Sequence, residues 1–297
     1  MWKVKVKDTI DILFFVRAYG IAYRRKGERI FHTIFPNNRY MYADPFVFEY
    51  QGKTAIFVEL MDYYYGWGTI GVFEINDGTI SGVREIIREN NHMSFPNVFM
   101  HNGQVYMMPE TYSDHNIHMY RCIDFPYKWE RMDSLIENVH MVDHAVWEDS
   151  NDTYVISYDL DQNKSRCFLL DWTKQRLEEF FPEGDYCRER PGGTFYVHKN
   201  ELKRVIQDCH DFYGDFIKIY RVKELNKNRF NEVLGKTIKV NQLKFDKKNR
   251  FDHMHQYSVS DHYEVIDFNY NRFYWNKFFR FLYRFICHPE RRGRYFC

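Results

Sequence analysis

Along residues 41–59 the apolar positions fall into two short runs. Phe46, Val47 and Phe48 lead into Gln51-Gly52, and Ala55 to Val58 follow and end on Glu59. Two aromatic or β-branched runs of strand length, split by a glycine turn, predict a β-hairpin with a polar group at each end. The pattern then returns. Residues 95–110 repeat it around Asn102-Gly103, a strong hairpin signal, with Glu110 falling where Glu59 stood. Residues 143–158 and 192–207 repeat it again, the latter ending on Gln207-Asp208, and a weaker fifth unit runs from His255 to Asp267. Aligned on Val47, Val98, Val146 and Phe195, the units lie 51, 48 and 49 residues apart. That period suits one four-stranded blade of a propeller. The sequence therefore predicts an all-β, five-bladed β-propeller over residues 1–270, with an N-terminal strand completing the last blade and a C-terminal amphipathic helix in a separate tail, 271–297.

Between the hairpins the signals are weaker. Residues 173–181 read as helical or irregular, and the polar segment 223–250 as outer strands with long surface loops. The loop from Met61 to Gly68 is rich in aromatic residues and in glycine. It fits either a wall that stacks on a sugar or a plug under the ring. In the tail, Lys277, Arg280 and Arg284 recur at helical spacing among Phe and Leu, and Arg291, Arg292 and Arg294 follow. A basic, aromatic amphipathic stretch over 272–294 predicts a helix lying on an anionic membrane surface; its plainer reading is a helix docked on the propeller.

Charge is almost balanced, 42 basic against 41 acidic residues, so no global field favours nucleic acid as a partner. The outlier is aromatic content, 24 Tyr, 27 Phe and 6 Trp, which serves packing between blades and leaves a surplus for stacking on flat ligand faces. Six cysteines without a CxxC pair predict reduced thiols. The N-terminus does not read as a signal peptide, and no apolar run reaches the ~18 residues a membrane crossing needs. These features predict a cytoplasmic protein associated peripherally with the membrane.

In a propeller the innermost strands surround a central funnel, so equivalent positions of successive repeats converge. Asp44 and Asp143 each stand three residues before an alignment position, Glu59 and Glu110 share a second position, and Gln207 and Asp208 fall close to it. Convergent carboxyls push their pKa values apart, which lets one act as an acid and another as a base, as chemistry at an anomeric carbon requires. Asp before Pro also caps turns, and polar groups at propeller mouths also hold water. Arg190 offers a planar fork to a phosphate or carboxylate, and His255 a donor to a hydroxyl or phosphate. His253 and His255 share a strand face but lack a third clustered ligand, so no metal site is predicted and no cofactor is indicated.

Together, Tyr42-Ala-Asp-Pro-Phe-Val-Phe-Glu, Ser94-Phe-Pro-Asn-Val-Phe, Met108-Pro-Glu-Thr, Arg190-Pro-Gly-Gly-Thr-Phe, Gln207-Asp-Cys with Tyr213-Gly214, and His255-Gln-Tyr-Ser followed by Tyr263-Glu-Val-Ile-Asp267 resemble the N-terminal-like domain family of glucosamine inositolphosphorylceramide transferases. The resemblance spans about residues 20–270 and implies a five-bladed domain of surface-polysaccharide or glycolipid biosynthesis. More distantly, Asp44-Pro45, Asp143 and Glu189-Arg-Pro191 look like the base, pKa-tuning and acid positions of family-43 glycoside hydrolases. The closer family's emphasis at the fourth position is Arg190-Pro191, which favours recognition of an anionic donor. The resemblance thus implies a glycosyltransferase-like enzyme passing a sugar from a nucleotide-sugar donor to a lipid-linked or glycan acceptor. Asp44, Asp143, Glu110 and Glu189 are its catalytic candidates, and Glu59, Arg190, Gln207, Asp208, His255 and Tyr257 would bind substrate. A glycoside hydrolase using Glu189 as acid, and a non-catalytic glycan-binding propeller, are the alternatives.

Overall fold

The computed structural model describes residues 15–63, 66–76 and 78–273. Among the described residues five sheets form the blades of a propeller, antiparallel except where Lys244–Phe245 pairs in parallel with Ile30–Ile34 at the outer edge of the fifth. Blade one holds Tyr40–Tyr50, Lys53–Asp62 and Trp67–Asn76, with the short strands Thr79–Ile80 and Arg84–Ile87 outside them. Blade two runs through Ser94–His101, Gln104–Glu110, Asn116–Asp124 and Lys128–Glu137, and blade three through Met141–Glu148, Thr153–Asp159, Lys164–Asp171 and Arg176–Phe180. Blade four comprises Tyr196–His198, Glu201–Gln207, Ile217–Leu225 and Phe230–Ile238.

Blade five joins the two ends of the chain. Tyr257–Val259 and Tyr263–Phe273 are its inner strands, while Phe15–Arg25 and Ile30–Ile34 are its outer ones. Phe15–Arg25 pairs with Tyr263–Phe273 along its whole length.

Where the inner hairpin turns are tight, their chemistry is local. Gln51-Gly52, Asn102-Gly103 and Lys199-Asn200 each place two consecutive residues at positive φ, 50° and 76°, 49° and 78°, and 52° and 59°. That is the geometry whose twist matches the flanking strands. Residues 173–181, read above as helical or irregular, form the fourth strand of blade three. The Asp171 carboxylate accepts from the amides of Thr173 and Lys174, both at 2.9 Å, and reverses the chain so that Leu177 pairs with Leu170. The predicted tail helix lies outside the described residues.

The apolar core divides into five clusters, one at each blade junction. Phe46, Phe57, Phe95 and Tyr120 pack between blades one and two, and Val146, Phe168, Met108 and Met119 between two and three. Ala145, Phe195 and Phe230 join three to four, Val205, Ile219, Tyr257 and Phe268 four to five, and Ile21, Val47, Phe73 and Val265 five to one. Because each sheet is covered on both faces, its middle strands are apolar without alternation, as in the buried run from Ala55 to Val58. Each fully buried Phe contributes about 2–3 kcal/mol of transfer free energy, so the surplus of aromatic residues is largely blade-to-blade packing.

One irregularity positions the site. In blade one the register runs Ala43 to Glu59 and then Phe46 to Phe57, so the inner strand carries an extra residue. Blades two and three do the same, Ser94 to Glu110 then Asn97 to Met108, and Val142 to Tyr158 then Ala145 to Ile156. In each bulge one residue sits in the left-handed region: Asp44 at φ 49°, Phe95 at 45° and Asp143 at 51°. Non-glycine residues adopt this conformation at a cost, and such bulges re-aim a side chain. Blade four has Gly192-Gly193 instead; a Cβ on Gly193 would lie 2.1 Å from the Tyr257 carbonyl oxygen. Blade five pairs without a register shift.

Candidate active site at the funnel floor

Inner strands begin, and second strands end, on one side of the ring, so the bulges and the second-strand termini meet at the funnel's mouth-facing floor. Glu59, Glu110, Tyr158 and Gln207 each lie 15 residues after Asp44, Phe95, Asp143 and Gly192. Asp267 takes the corresponding place in blade five, its amide meeting the Gln256 carbonyl. Blade is laced to blade by these groups. The Phe95 amide donates to Asp44 Oδ2 at 3.0 Å, and the Asp143 amide to Glu110 Oε2 at 3.3 Å.

On one side of the floor His255 bridges two aspartates. Its Nε2 is 3.2 Å from Asp44 Oδ1 and its Nδ1 is 2.5 Å from Asp267 Oδ2. Asp267, wholly buried, also accepts from the amides of His255 and Gln256 at 2.9 and 3.0 Å. Burial alone would lower the imidazole's pKa, but the Asp267 carboxylate overcomes it and holds His255 well above its ordinary value. Burial would raise Asp44; the hydrogen bond and charge of His255 reverse this, so Asp44 stays ionised. Tyr19, on the strand that closes blade five, lays its ring 4.8 Å from that of His255.

On the other side Arg190 plays the cation. Its Nε donates to Asp143 Oδ2, and its guanidinium reaches Glu110 Oε2 at 3.7 Å. Gln207 Nε2 donates to Asp143 Oδ2 and to the Pro191 carbonyl, both at 2.8 Å. Burial raises the Asp143 carboxyl while Arg190 works against it. Tyr213 covers both cations, 5.2 Å from the Arg190 guanidinium and 5.3 Å from the His255 ring. Its neighbour Gly214 stands at φ +64°, where a Cβ would come within 2.3 Å of His255 Cβ. Only glycine lets this loop rest on the imidazole.

Two glutamates keep their protons. Glu59 is held well above the usual carboxylate range by burial and then by the charge on Asp44. Glu110 is held there by burial and then by Asp143. Their surroundings differ, since Glu110 also hydrogen-bonds Asp143 whereas Glu59, among the described residues, has His92 beside it, Nε2 to Oε1 at 3.5 Å. The Gly68 amide donates to His92 Nδ1 at 2.9 Å, which leaves the hydrogen of the neutral ring on Nε2, toward Glu59. Burial lowers the His92 pKa and keeps that ring neutral.

The structure therefore brings Asp44, Glu59, Glu110, Asp143, Arg190, Gln207 and His255 together, and places three sequence candidates elsewhere. Glu189 and Asp208 both bind Lys218 Nζ, at 2.7 and 2.5 Å, on the outward side of blade four. Their neighbours in sequence, Arg190 and Gln207, bind Asp143 instead. Tyr257, expected to bind substrate, is buried and donates to Glu264 Oε1 at 2.5 Å in the junction of blades four and five. Arg190 and His255, expected to meet phosphates, each lie between two carboxyls in this structure. His253 does not join His255 but bonds Asp215 Oδ1 at 3.0 Å.

Asp267, Tyr19, His92 and Tyr213 were missed as site residues. Asp267 carried a signal by ending the fifth unit as Glu59 and Glu110 end theirs, and Tyr213 stood in a motif of the family resemblance. Among the described residues two groups could hold a cation by proximity, Asp44 with His255 and Asp267, and Glu189 with Asp208 and His210. In each a protonated side chain, His255 or Lys218, already supplies positive charge. Trp67 closes the aromatic loop of blade one on the mouth side and is 41% exposed, so its indole is no buried plug.

Solved structures share the fold. The α-L-arabinofuranosidase of Podospora anserina, determined with cellotriose, superposes with a TM-score of 0.61 at 11% identity over 84% of this chain and 97% of that one. A β-xylosidase superposes at 0.55 and 11% identity, over 77% and 92%. In sequence, the chain is similar to glucosamine inositolphosphorylceramide transferase 1 of Arabidopsis thaliana, 27% identical over 204 residues, which is 64% of this chain and 26% of that protein. The Oryza sativa subsp. indica protein of the same name is 26% identical over 212 residues, 67% of this chain and 28% of its own length. The chain thus spans about a quarter of the length of these relatives. A family model described as glucosamine inositolphosphorylceramide transferase 1, N-terminal, matches residues 29–267, and the chain belongs to that family.

Proposed function

We propose that this propeller handles a sugar at its funnel floor and transfers a glycosyl group in glycolipid or surface-polysaccharide assembly. The observation that carries the reading is a buried carboxyl pair in unlike surroundings: Asp44 lies 3.2 Å from His255 Nε2, which favours its charged form, while Glu59 has His92 at 3.5 Å and is held well above the usual carboxylate range by burial. A base and an acid of the same chemical type, separated by environment, are what exchange at an acetal carbon needs. Asp44 takes the proton of the acceptor hydroxyl as its oxygen bonds to the anomeric carbon. Glu59 gives its proton to the departing oxygen as that bond breaks, and Nε2–H of His92 steadies the resulting carboxylate. Asp143, Glu110, Arg190 and Gln207 form the opposite wall and bind sugar hydroxyls.

This reading moves the acid from Glu189, committed to Lys218, to Glu59. It also places the sugar, not the phosphates of a nucleotide-sugar donor, at the floor, because both cations there are occupied. The relatives' name supplies the class of substrates: an amino sugar and an inositolphosphorylceramide-type lipid. The basic tail over 272–294 would keep such an enzyme at the membrane surface on the cytoplasmic side.

A second reading, a glycan receptor serving a separate catalytic domain, is favoured by one observation: the named transferases are about four times longer than the matched segment. A thermal-shift panel of glucosamine, N-acetylglucosamine, glucose and their nucleotide-linked forms comes first, since a ligand that binds only the folded state raises its melting temperature. Transfer to a glycolipid acceptor is then assayed for the wild type, Asp44→Asn and Glu59→Gln. Turnover lost in both variants supports the transferase. Binding without turnover in the wild type selects the receptor, and no stabilisation by any sugar sinks both.

A further inference from the structure

Above the floor, where blades two and three meet, three rings stand together without entering any core cluster. Tyr112, 40% exposed, lies 6.1 Å from the His115 ring and 6.0 Å from the His140 ring, and the two imidazoles are 4.6 Å apart. The side chain of His140 is 41% exposed. A ring cluster left this open contributes little to stability, since most of its apolar area still meets water. The structure nevertheless holds it firmly. His115 occupies the left-handed region at φ 58°, a conformation that Asn or Gly adopts more readily. Its carbonyl accepts from the Val139 amide at 2.8 Å, and that of His140 from the Leu160 amide at 3.0 Å. Asn116 Oδ1 accepts from the Asn138 amide at 3.3 Å, a second tie between the loop of blade two and the link into blade three. His140 Nδ1 is further set by Asp161 Oδ1 at 2.9 Å.

The position of these rings relative to the floor is fixed by the chain. Tyr112 follows Glu110 by two residues and His140 precedes Asp143 by three. Both therefore rise from the pair joined by the Asp143 amide and the Glu110 carboxyl. Two and three residues of chain span at most about 7 and 10 Å, so the rings stand within about one or two sugar rings of that pair.

Resting on the sugar-handling reading of the floor, we infer that Tyr112, His115 and His140 form a second sugar subsite, which stacks on the next ring of a glycan whose terminal ring occupies the floor. An aromatic face meets the apolar face of a pyranose, while the imidazole nitrogens and the tyrosine hydroxyl meet its equatorial hydroxyls. The protein would accordingly recognise an oligosaccharide or glycosylated lipid head rather than a lone monosaccharide.

The test measures affinity by calorimetry for a monosaccharide and for the di- and trisaccharides ending in it, the terminal sugar being chosen by the thermal-shift panel. The wild type is expected to bind the disaccharide about tenfold more tightly than the monosaccharide, and the trisaccharide no better. In Tyr112→Ala/His140→Ala that gain disappears while monosaccharide affinity holds, and Tyr112→Trp in an otherwise wild-type chain retains it. Unchanged melting temperatures would show that the exposed rings are not structural. Equal binding of one and two rings by the wild type, or a gain that survives the double variant, overturns the subsite and leaves the floor reading standing. A wild type that binds no sugar removes both.

Discussion

The two sides of the funnel floor solve one problem with different cations. At blades one and five, His255 sits between Asp44 and Asp267, with Glu59 beside them; at blades two to four, Arg190 and Gln207 hold Asp143, with Glu110 beside it. Each side sets an aspartate against a buried cation and holds a glutamate well above the usual carboxylate range, but His255 brings Asp44 below its ordinary value whereas burial keeps Asp143 above its own despite Arg190. The difference lies in the cation. A guanidinium does not deprotonate in a protein, whereas an imidazolium does, so the Arg190 side is a fixed wall and the His255 side can change its charge with pH. The proposed base belongs to the side that can change.

Removing Arg190 is expected to have the largest effect. Arg190→Met leaves Asp143 and Glu110 buried without a counter-charge, and should cost about 3–5 kcal/mol in urea unfolding at any pH from 5 to 9. His255→Asn should cost about 2–3 kcal/mol near pH 6 and progressively less on the alkaline side. The sign follows from the raised folded pKa of His255. Its contribution is complete below the ordinary value near 6.5 and is lost as pH rises through the raised folded value, so wild type and variant converge there. A His255→Asn deficit that stays constant across that range would erase the contrast with Arg190.

Glu59→Gln keeps the shape and hydrogen of the protonated acid, so its stability should stay within about 1 kcal/mol of wild type at pH 6. Glu59 itself stabilises below the usual carboxylate value and loses this as pH rises through its raised folded value. The variant should therefore gain on the wild type in alkali while losing turnover. Lys218→Met lies outside both sides, and should change sugar affinity less than twofold. A larger loss would return Glu189 and Asp208 to the site.

Much of this was legible in the sequence, for one reason: the bulge is copied. Asp44, Phe95 and Asp143 repeat at blade spacing, and the second-strand ends follow each by a constant interval, so Glu59, Glu110 and Gln207 could be aligned without coordinates. Tyr257 lies in the inner strand Tyr257–Val259 of blade five and turns into the blade junction, whereas His255 precedes that strand. Glu189 and Arg190 stand outside the named strands, where alternation gives no guide; Glu189 pairs with Lys218 and Arg190 with Asp143. Tyr19, His92 and Tyr213 come from a closing strand, a blade-to-blade link and a loop, none of which repeats.

Closure of the ring by two strands far apart in sequence also bears on how the protein is made. Phe15–Arg25 leaves the ribosome well before its partner strand Tyr263–Phe273 is synthesised. Until then the early strands expose unpaired edges, a state that favours chaperone capture or mispairing. His255 and Asp267 arrive with that late partner, so a nascent chain truncated anywhere before them has Asp44 without its cation. The chemistry proposed for the floor would therefore switch on only once the strand Tyr263–Phe273 has been made, and a chain stopped before it would be inert as well as unclosed.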